Sequence, residues 1–189
     1  MSAAWHDGRV DDRALVRAVL DGERDAFRPV VEREAIAVYR ACLRILGRPA
    51  DAEDVAQEAM LIGYRSLTTY RGDGPLGAWL VRIATRHAYR RLAQRRDALD
   101  VSAVPEPAAT GRAASEPLTQ VVAAERALAL RDGVTALPEP YRETVALRFF
   151  GDLSLGEIAS ATGRPLNTVK THLRRGLERL RSQVGRLDA

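Results

Sequence analysis

Residues 153–181, LSLGEIASATGRPLNTVKTHLRRGLERLR, put hydrogen-bonding and cationic side chains on one side of an amphipathic helix. Val169, Leu173, Leu177, Leu180 and Val184 recur at steps of three and four, so they share a buried face. At about 100° per residue the opposite face carries Asn167, Thr168, Thr171, Arg174 and Arg175, with Lys170 on its flank. Amides, hydroxyls and guanidinium forks of this kind bond base edges in a duplex groove or phosphate oxygens. A shorter helix, 154–162, precedes them and ends at Gly163, which can adopt the positive φ of a tight turn; Pro165 suits the first turn of the next helix. Two helices at this spacing form a helix-turn-helix, the device that delivers its second helix to a major groove. An amphipathic hairpin with a solvated polar face fits the same pattern.

Two further constellations carry charge. Arg82, Arg86 and Arg90 are spaced by four and line one helix face, extended by Arg91, Arg95 and Arg96. Trp79 and Tyr89 interleave with them, and Tyr70 stands in the loop just before. Aromatic rings beside cations suit unstacked single-stranded bases, because a ring stacks on any base; a solvated basic face over core aromatics reads the same way. The preceding helix begins with Asp51, Glu53, Asp54 and Glu58, and Asp54, Gln57 and Glu58 share a face. Acids in a first turn are favoured by the helix dipole alone, so this face is either ordinary helix electrostatics or a docking surface.

The elements that must position these groups are all helical. Helical period runs through 12–20, 24–46, 51–67, 75–96, 118–136, 139–149 and the helix-turn-helix, and no run alternates like a strand. Gly47 and Pro49 are read as the stop of the second helix, and Asp51 as the cap of the third, with Asp54 in an imperfect capping box. Period disappears over 97–117, an Ala-, Pro- and Ser-rich stretch with Asp97, Asp100, Glu106 and Glu116 against Arg112. The expected fold class is therefore all-α: two small helical domains, 1–96 and 118–189, tethered by a flexible linker over 97–117, the second ending in the helix-turn-helix.

Composition narrows the class. A net charge of +4 and an isoelectric point near 9.7 favour a polyanionic partner. Lys170 is the only lysine, an arginine bias that a GC-rich genome would also produce. The three histidines, His6, His87 and His172, lack metal-ligand spacing, so no metal and no cofactor is expected. There is no glycine-rich phosphate loop and no nucleophile–base pair, so no enzyme is expected. Cys42 lies in an apolar helical stretch as a core residue. No apolar run approaches the roughly 20 residues of a membrane span, and the start of the chain has no signal-peptide core, so a cytoplasmic location is expected.

The segments 51–67 (DAEDVAQEAMLIGYRSL) and 70–92 (YRGDGPLGAWLVRIATRHAYRRL) closely resemble the second conserved region of bacterial sigma factors of the extracytoplasmic-function (ECF) group within the sigma-70 family. The segment 137–181 resembles that group's fourth region. The resemblance implies a promoter-specificity subunit with two partners, core RNA polymerase and promoter DNA, the latter as duplex and as melted strand. Asp54, Gln57 and Glu58 match the surface that docks on the clamp helices of the largest catalytic polymerase subunit. The loop at Tyr70 and the helix through Trp79, Arg82, Arg86 and Arg90 match the elements that open and read the minus-ten element. Asn167, Thr168, Lys170, Thr171, Arg174 and Arg175 lie on the helix matching the minus-thirty-five reader. The linker matches the segment threaded through the RNA exit channel. An anti-sigma factor is the group's usual further partner. Leu76 stands where an aromatic is usual, Arg86 where asparagine is frequent and Arg90 where aspartate is frequent; these departures bear on which minus-ten sequence is read. The alternative is a free-standing helix-turn-helix regulator of the response-regulator DNA-binding type, which TVKTHLRR would also suit.

Overall fold

Several helices in this chain begin where proline or a capping oxygen is supplied, and two end at a left-handed glycine, Gly47 or Gly163. The computed structural model describes residues 12–99 and 117–184. The described helices are α1 (Asp12–Leu20), α2 (Arg28–Leu46), α3 (Pro49–Arg65), α4 (Leu76–Leu99), α5 (Pro117–Thr135), α6 (Tyr141–Phe149), α7 (Leu155–Thr162) and α8 (Leu166–Val184), with short 3-10 turns at Arg24–Phe27 and Leu67–Thr69. No strand occurs among the described residues. No described helix is long and apolar enough to cross a membrane.

Several boundaries differ from the sequence reading. The helix read from residue 24 opens with a 3-10 turn, and α2 proper starts at Arg28, with Pro29 in its first turn. Gly47 ends α2 at φ 73°, its N–H donating to the Leu43 carbonyl at 2.8 Å. Pro49 does not stop the chain; it is the first residue of α3, where its fixed φ is helical and its missing N–H is no loss. Asp51 is consequently inside the first turn rather than at the cap. The cap is Arg48, with no side-chain bond, and Asp51 instead meets Arg95 of α4 at 3.1 Å. Helix α4 continues three residues past the expected end at Arg96, and α5 opens at Pro117; the rest of the expected linker lies outside the described residues. Helix α7 has a full capping box: Ser154 Oγ accepts from the Glu157 N–H at 3.2 Å and Glu157 Oε2 from the Ser154 N–H at 2.8 Å.

The N-terminal helices enclose Val30, Val38, Cys42, Ile45, Val55, Leu67, Leu76 and Leu80, all fully buried. Cys42 is the core residue its setting predicts, and burial pushes its thiol pKa up to about 12. Close approach is set by glycines. A Cβ on Gly63 of α3 would stand 2.3 Å from Leu80 Cδ2 of α4, and one on Gly77 of α4 would stand 2.3 Å from Glu34 Oε2 of α2. In the C-terminal set, Val134, Leu137, Val145, Leu147, Leu153, Ile158 and Val169 form the core. There a Cβ on Gly176 of α8 would meet Val145 Cγ2 of α6 at 2.7 Å.

The two helical sets also pack on one another. Helix α4 packs on α6 and α7. A Cβ on Gly151 would lie 2.8 Å from Val81 Cγ1 of α4. Arg44 of α2 donates to the Phe150 carbonyl at 2.9 Å and pairs with Asp152. Arg131 Nε of α5 donates to the Arg44 carbonyl at 2.7 Å.

The start of α4 is held from a distance. Its first N–H, on Leu76, donates at 2.8 Å to Asp12 Oδ2, a carboxylate 64 residues earlier. Asp12 Oδ1 accepts from Arg33 at 2.6 Å, and Arg33 also bonds the buried Glu34 at 2.7 Å. Burial raises the Glu34 pKa, and the Arg33 bond only partly offsets it. Asp12 therefore acts as an N-cap supplied by another helix. Replacing a capping carboxylate by alanine costs about 1 kcal/mol, so Asp12→Ala is expected to lower the urea-unfolding stability of the full chain by about that amount. An unchanged midpoint and slope would show that Leu76 finds another acceptor.

Candidate nucleic-acid and protein interfaces

On α3, burial of Ala52, Val55, Ala56, Ala59 and Met60 fixes the rotation of the helix, and Asp54, Gln57 and Glu58 emerge together on the opposite, exposed side. Leu61, one turn further along, is 55 % exposed and adds an apolar step to this acidic strip. An exposed acidic face with an apolar step fits a basic protein surface, and among the described residues nothing covers it.

The loop and helix read as single-strand binders are more constrained. Tyr70 is half-buried: its hydroxyl donates to the Gly74 carbonyl, closing the loop 70–74, and its ring lies 5.7 Å from that of Trp79 at 56°. Burial pushes the Tyr70 pKa up to about 12. Trp79 is only 9 % exposed, so it is chiefly a wall behind the loop. Tyr89 is as buried as Trp79, and the Arg142 guanidinium sits 5.7 Å from its ring centre. The three arginines at four-residue spacing divide. Arg86 and Arg90 are exposed, and no ion pair holds either of them among the described residues. His87 between them has its pKa lowered by burial and by Arg90. Arg82 turns the other way. Its Nε bonds Glu143 Oε1 of α6 at 2.9 Å and its NH1 bonds the Ala161 carbonyl of α7 at 3.0 Å.

Glu143 is a residue the sequence reading did not single out. It is 7 % exposed and also lies 2.8 Å from Arg164 in the turn between α7 and α8, close enough for an ion pair though not aligned as a directed hydrogen bond. Burial alone would raise its pKa; the bond from Arg82 and the charges of Arg82 and Arg164 more than offset this and hold it below the ordinary glutamate value. No local pattern marks Glu143, because its first partner is 61 residues away. Arg82, Arg86, Arg90, Arg142 and Arg164 line a cleft of about 700 Å³ between the two domains. A smaller cleft of about 290 Å³ lies between the loop 69–75 and Ser160–Gly163.

Helix α8 presents its polar face outward. Val169 is fully buried and Leu180 nearly so, which aims Asn167, Lys170, Arg174 and Arg175 at solvent, with Thr168 and Thr171 half-buried at the edges. Thr171 Oγ1 donates to the Asn167 carbonyl at 2.9 Å, and Arg174 pairs with Glu178 one turn later at 2.7 Å. Tyr141 of α6 braces the other side, with its ring 5.7 Å from His172 and 5.1 Å from the Arg179 guanidinium. The His172 pKa is lowered by burial and by Arg164 and Arg175. Among the described residues no group of three or more His, Cys, Asp or Glu side chains could hold a metal ion.

Known proteins share both the helices and their order. The Sigma-70 region 2 model matches residues 30–98 and the Sigma-70 region 4 model residues 127–180. The chain is 31 % identical over 176 residues to the ECF RNA polymerase sigma factor SigW of Bacillus subtilis, covering 89 % of this chain and 94 % of that protein. It is 30 % identical to the ECF RNA polymerase sigma-E factor of Escherichia coli, covering 93 % of this chain and 95 % of that protein. Among solved structures it is similar in fold to CnrH, determined with the cytosolic domain of CnrY, at a TM-score of 0.57 with 22 % identity over 92 % of this chain and 97 % of that one. It is also similar in fold to the sigma factor RpoE of Bartonella quintana, determined with the anti-sigma factor NepR, at a TM-score of 0.55 with 18 % identity over 85 % of this chain and 98 % of that one. With region 2 on the acidic and basic helices, region 4 on the helix-turn-helix, and near-complete coverage of both chains, this protein belongs to the ECF family of RNA polymerase sigma factors.

Proposed function

We propose that the chain binds core RNA polymerase and directs promoter-specific initiation, reading duplex DNA with α8 and capturing melted bases with the loop 70–74 and α4. The observation that carries this is the joint presence of both sigma regions in order, with 31 % identity to SigW across 89 % of the chain. In this reading, residues 1–96 form the polymerase-docking and minus-ten domain and 118–189 the minus-thirty-five domain. Asp54, Gln57 and Glu58 dock on polymerase. Tyr70, Arg82, Arg86 and Arg90 act on the separated strand, with Trp79 supporting them from the core. Asn167, Thr168, Lys170, Thr171, Arg174 and Arg175 contact the minus-thirty-five duplex. The protein acts in the cytoplasm and contributes binding energy rather than a reacting group: contacts made only to unpaired bases offset the cost of separating them. An anti-sigma factor is a further partner, in keeping with the NepR complex of the RpoE structure. A free-standing helix-turn-helix regulator gives no reason for the exposed acidic strip of α3 or the basic helix that follows it.

Two measurements test this reading. Exposed acids contribute little to folding, so Asp54→Lys with Glu58→Lys is expected to preserve the circular dichroism spectrum and abolish co-elution with core polymerase. Wild-type co-elution of the double variant would remove α3 from the docking surface. Arg82→Ala with Arg86→Ala is expected to assemble with polymerase but to form few open complexes on duplex promoter, with activity largely restored on a template pre-melted at the minus-ten element. Wild-type permanganate reactivity of promoter thymines in that variant would contradict a role in opening.

A further inference from the structure

Two of the side chains that hold the loop 70–74 belong to neither of the helices it joins. Arg13 of α1 donates through NH2 to the Gly72 carbonyl at 2.8 Å, and its neighbour Asp12 accepts from the Leu76 N–H at 2.8 Å. We propose that Asp12 and Arg13 are positioning residues for minus-ten selection: without touching DNA they hold the loop 70–74 in one shape, and that shape sets how strictly a base of the melted strand is chosen. This deepens, and rests on, the reading of the loop as the part that captures unpaired bases.

The fixings fall on alternate residues. Tyr70 is held through its N–H, which donates to the Leu67 carbonyl at 3.0 Å. Gly72 is held by Arg13, Gly74 by the Tyr70 hydroxyl and Leu76 by Asp12. Between these points the side chains of Arg71 and Asp73 are exposed. The loop thus commits backbone groups to the protein and presents one cation and one anion outward. Gly72 permits the closest of these contacts. Its φ is 72°, and a Cβ there would stand 2.7 Å from Arg13 Nε, so the guanidinium lies directly against the loop backbone. The anchor is itself fixed. Val16 and Val19 seat α1 in the core, and Asp12 is tied through Arg33 to Glu34 of α2. The loop therefore takes its shape from α1 and α2 as well as from α3 and α4. A loop already in its bound shape loses less freedom when a base arrives, which raises affinity. A loop that cannot reshape also cannot adapt to the wrong base, which widens the gap between right and wrong.

The test uses holoenzyme assembled from core polymerase and the full chain, on templates carrying one mapped promoter. In one template set the minus-ten element is randomised, in a second the minus-thirty-five element. Transcripts are sequenced, and the preference for the best base over the other three is read at each position. Arg13→Ala, at an exposed residue, is expected to lower the minus-ten preference about three- to tenfold, the worth of one hydrogen bond, and to leave the minus-thirty-five preference at its wild-type value. Asp12→Ala is expected to act in the same direction, whereas Asp12→Asn, which keeps an oxygen for the Leu76 N–H, is expected to retain the wild-type preference. Arg17→Ala removes the same charge one turn along α1 and is expected to change neither element. An unchanged minus-ten preference in Arg13→Ala and Asp12→Ala would overturn the proposal. So would a fall shared equally by both elements, the mark of a general loss of structure. A uniform weakening with a salt slope smaller by about 1 would overturn it too, since that makes Arg13 a phosphate contact. Arg71→Ala with Asp73→Ala tells these failures apart from failure of the underlying reading. If that loop variant changes the minus-ten preference while the α1 variants do not, only the positioning is lost; if none of them does, the assignment of the loop is lost as well.

Discussion

The carboxylate of Glu143 is the point on which the arrangement of the two domains depends. It joins α4, α6 and the turn before α8 through guanidinium groups on two sides, in a place where little water reaches it. Without those partners burial would favour the protonated acid; with them the carboxylate is held charged. A buried ion pair is seldom a large net source of stability against an apolar contact of the same size, but it is strongly directional. In this chain it fixes which face of the first domain is covered, and the face covered is the one bearing Arg82.

Each domain is built to make its charged faces inevitable. Small residues at helix crossings, Gly63 on Leu80 and Gly176 on Val145, bring the helices close enough that their rotation is fixed. Once Val55, Ala59 and Met60 are buried, Asp54, Gln57 and Glu58 must face outward. Once Val169 and Leu180 are buried, Asn167, Lys170 and Arg174 must do so too. The exposed polar faces are thus by-products of core packing, and the same cores explain why Trp79 and Tyr89 of α4 are turned inward rather than standing on its basic face. The Asp12 carboxylate at the Leu76 N–H has a comparable role, anchoring the start of α4 where the loop delivers it.

Much of this is legible in the amino-acid order because it is local. Helical period, the glycine at 163 and the steps of the α8 apolar face depend on residues within a turn or two of each other. One local signal is ambiguous: at Pro49 two rules meet, proline as breaker and proline as first residue, and the preference for the first turn prevails, displacing the cap expected at Asp51. The box at Ser154 and Glu157 is written in the letters as serine followed by glutamate three residues on. Asp12 with Leu76, Arg82 with Glu143, and Arg44 with Asp152 could not be read, since they join residues 64, 61 and 108 positions apart and no spacing rule reaches so far.

On the proposed function, this chain converts core polymerase into a promoter-specific enzyme through two separated reading surfaces. The most direct test is run-off transcription with purified core polymerase and the full chain on fragments of the source genome, with start sites mapped to the base. Discrete starts absent with core polymerase alone are expected, each preceded by two shared sequence blocks at the minus-ten and minus-thirty-five positions. Starts no more frequent or better defined than those of core polymerase alone would contradict the proposed function.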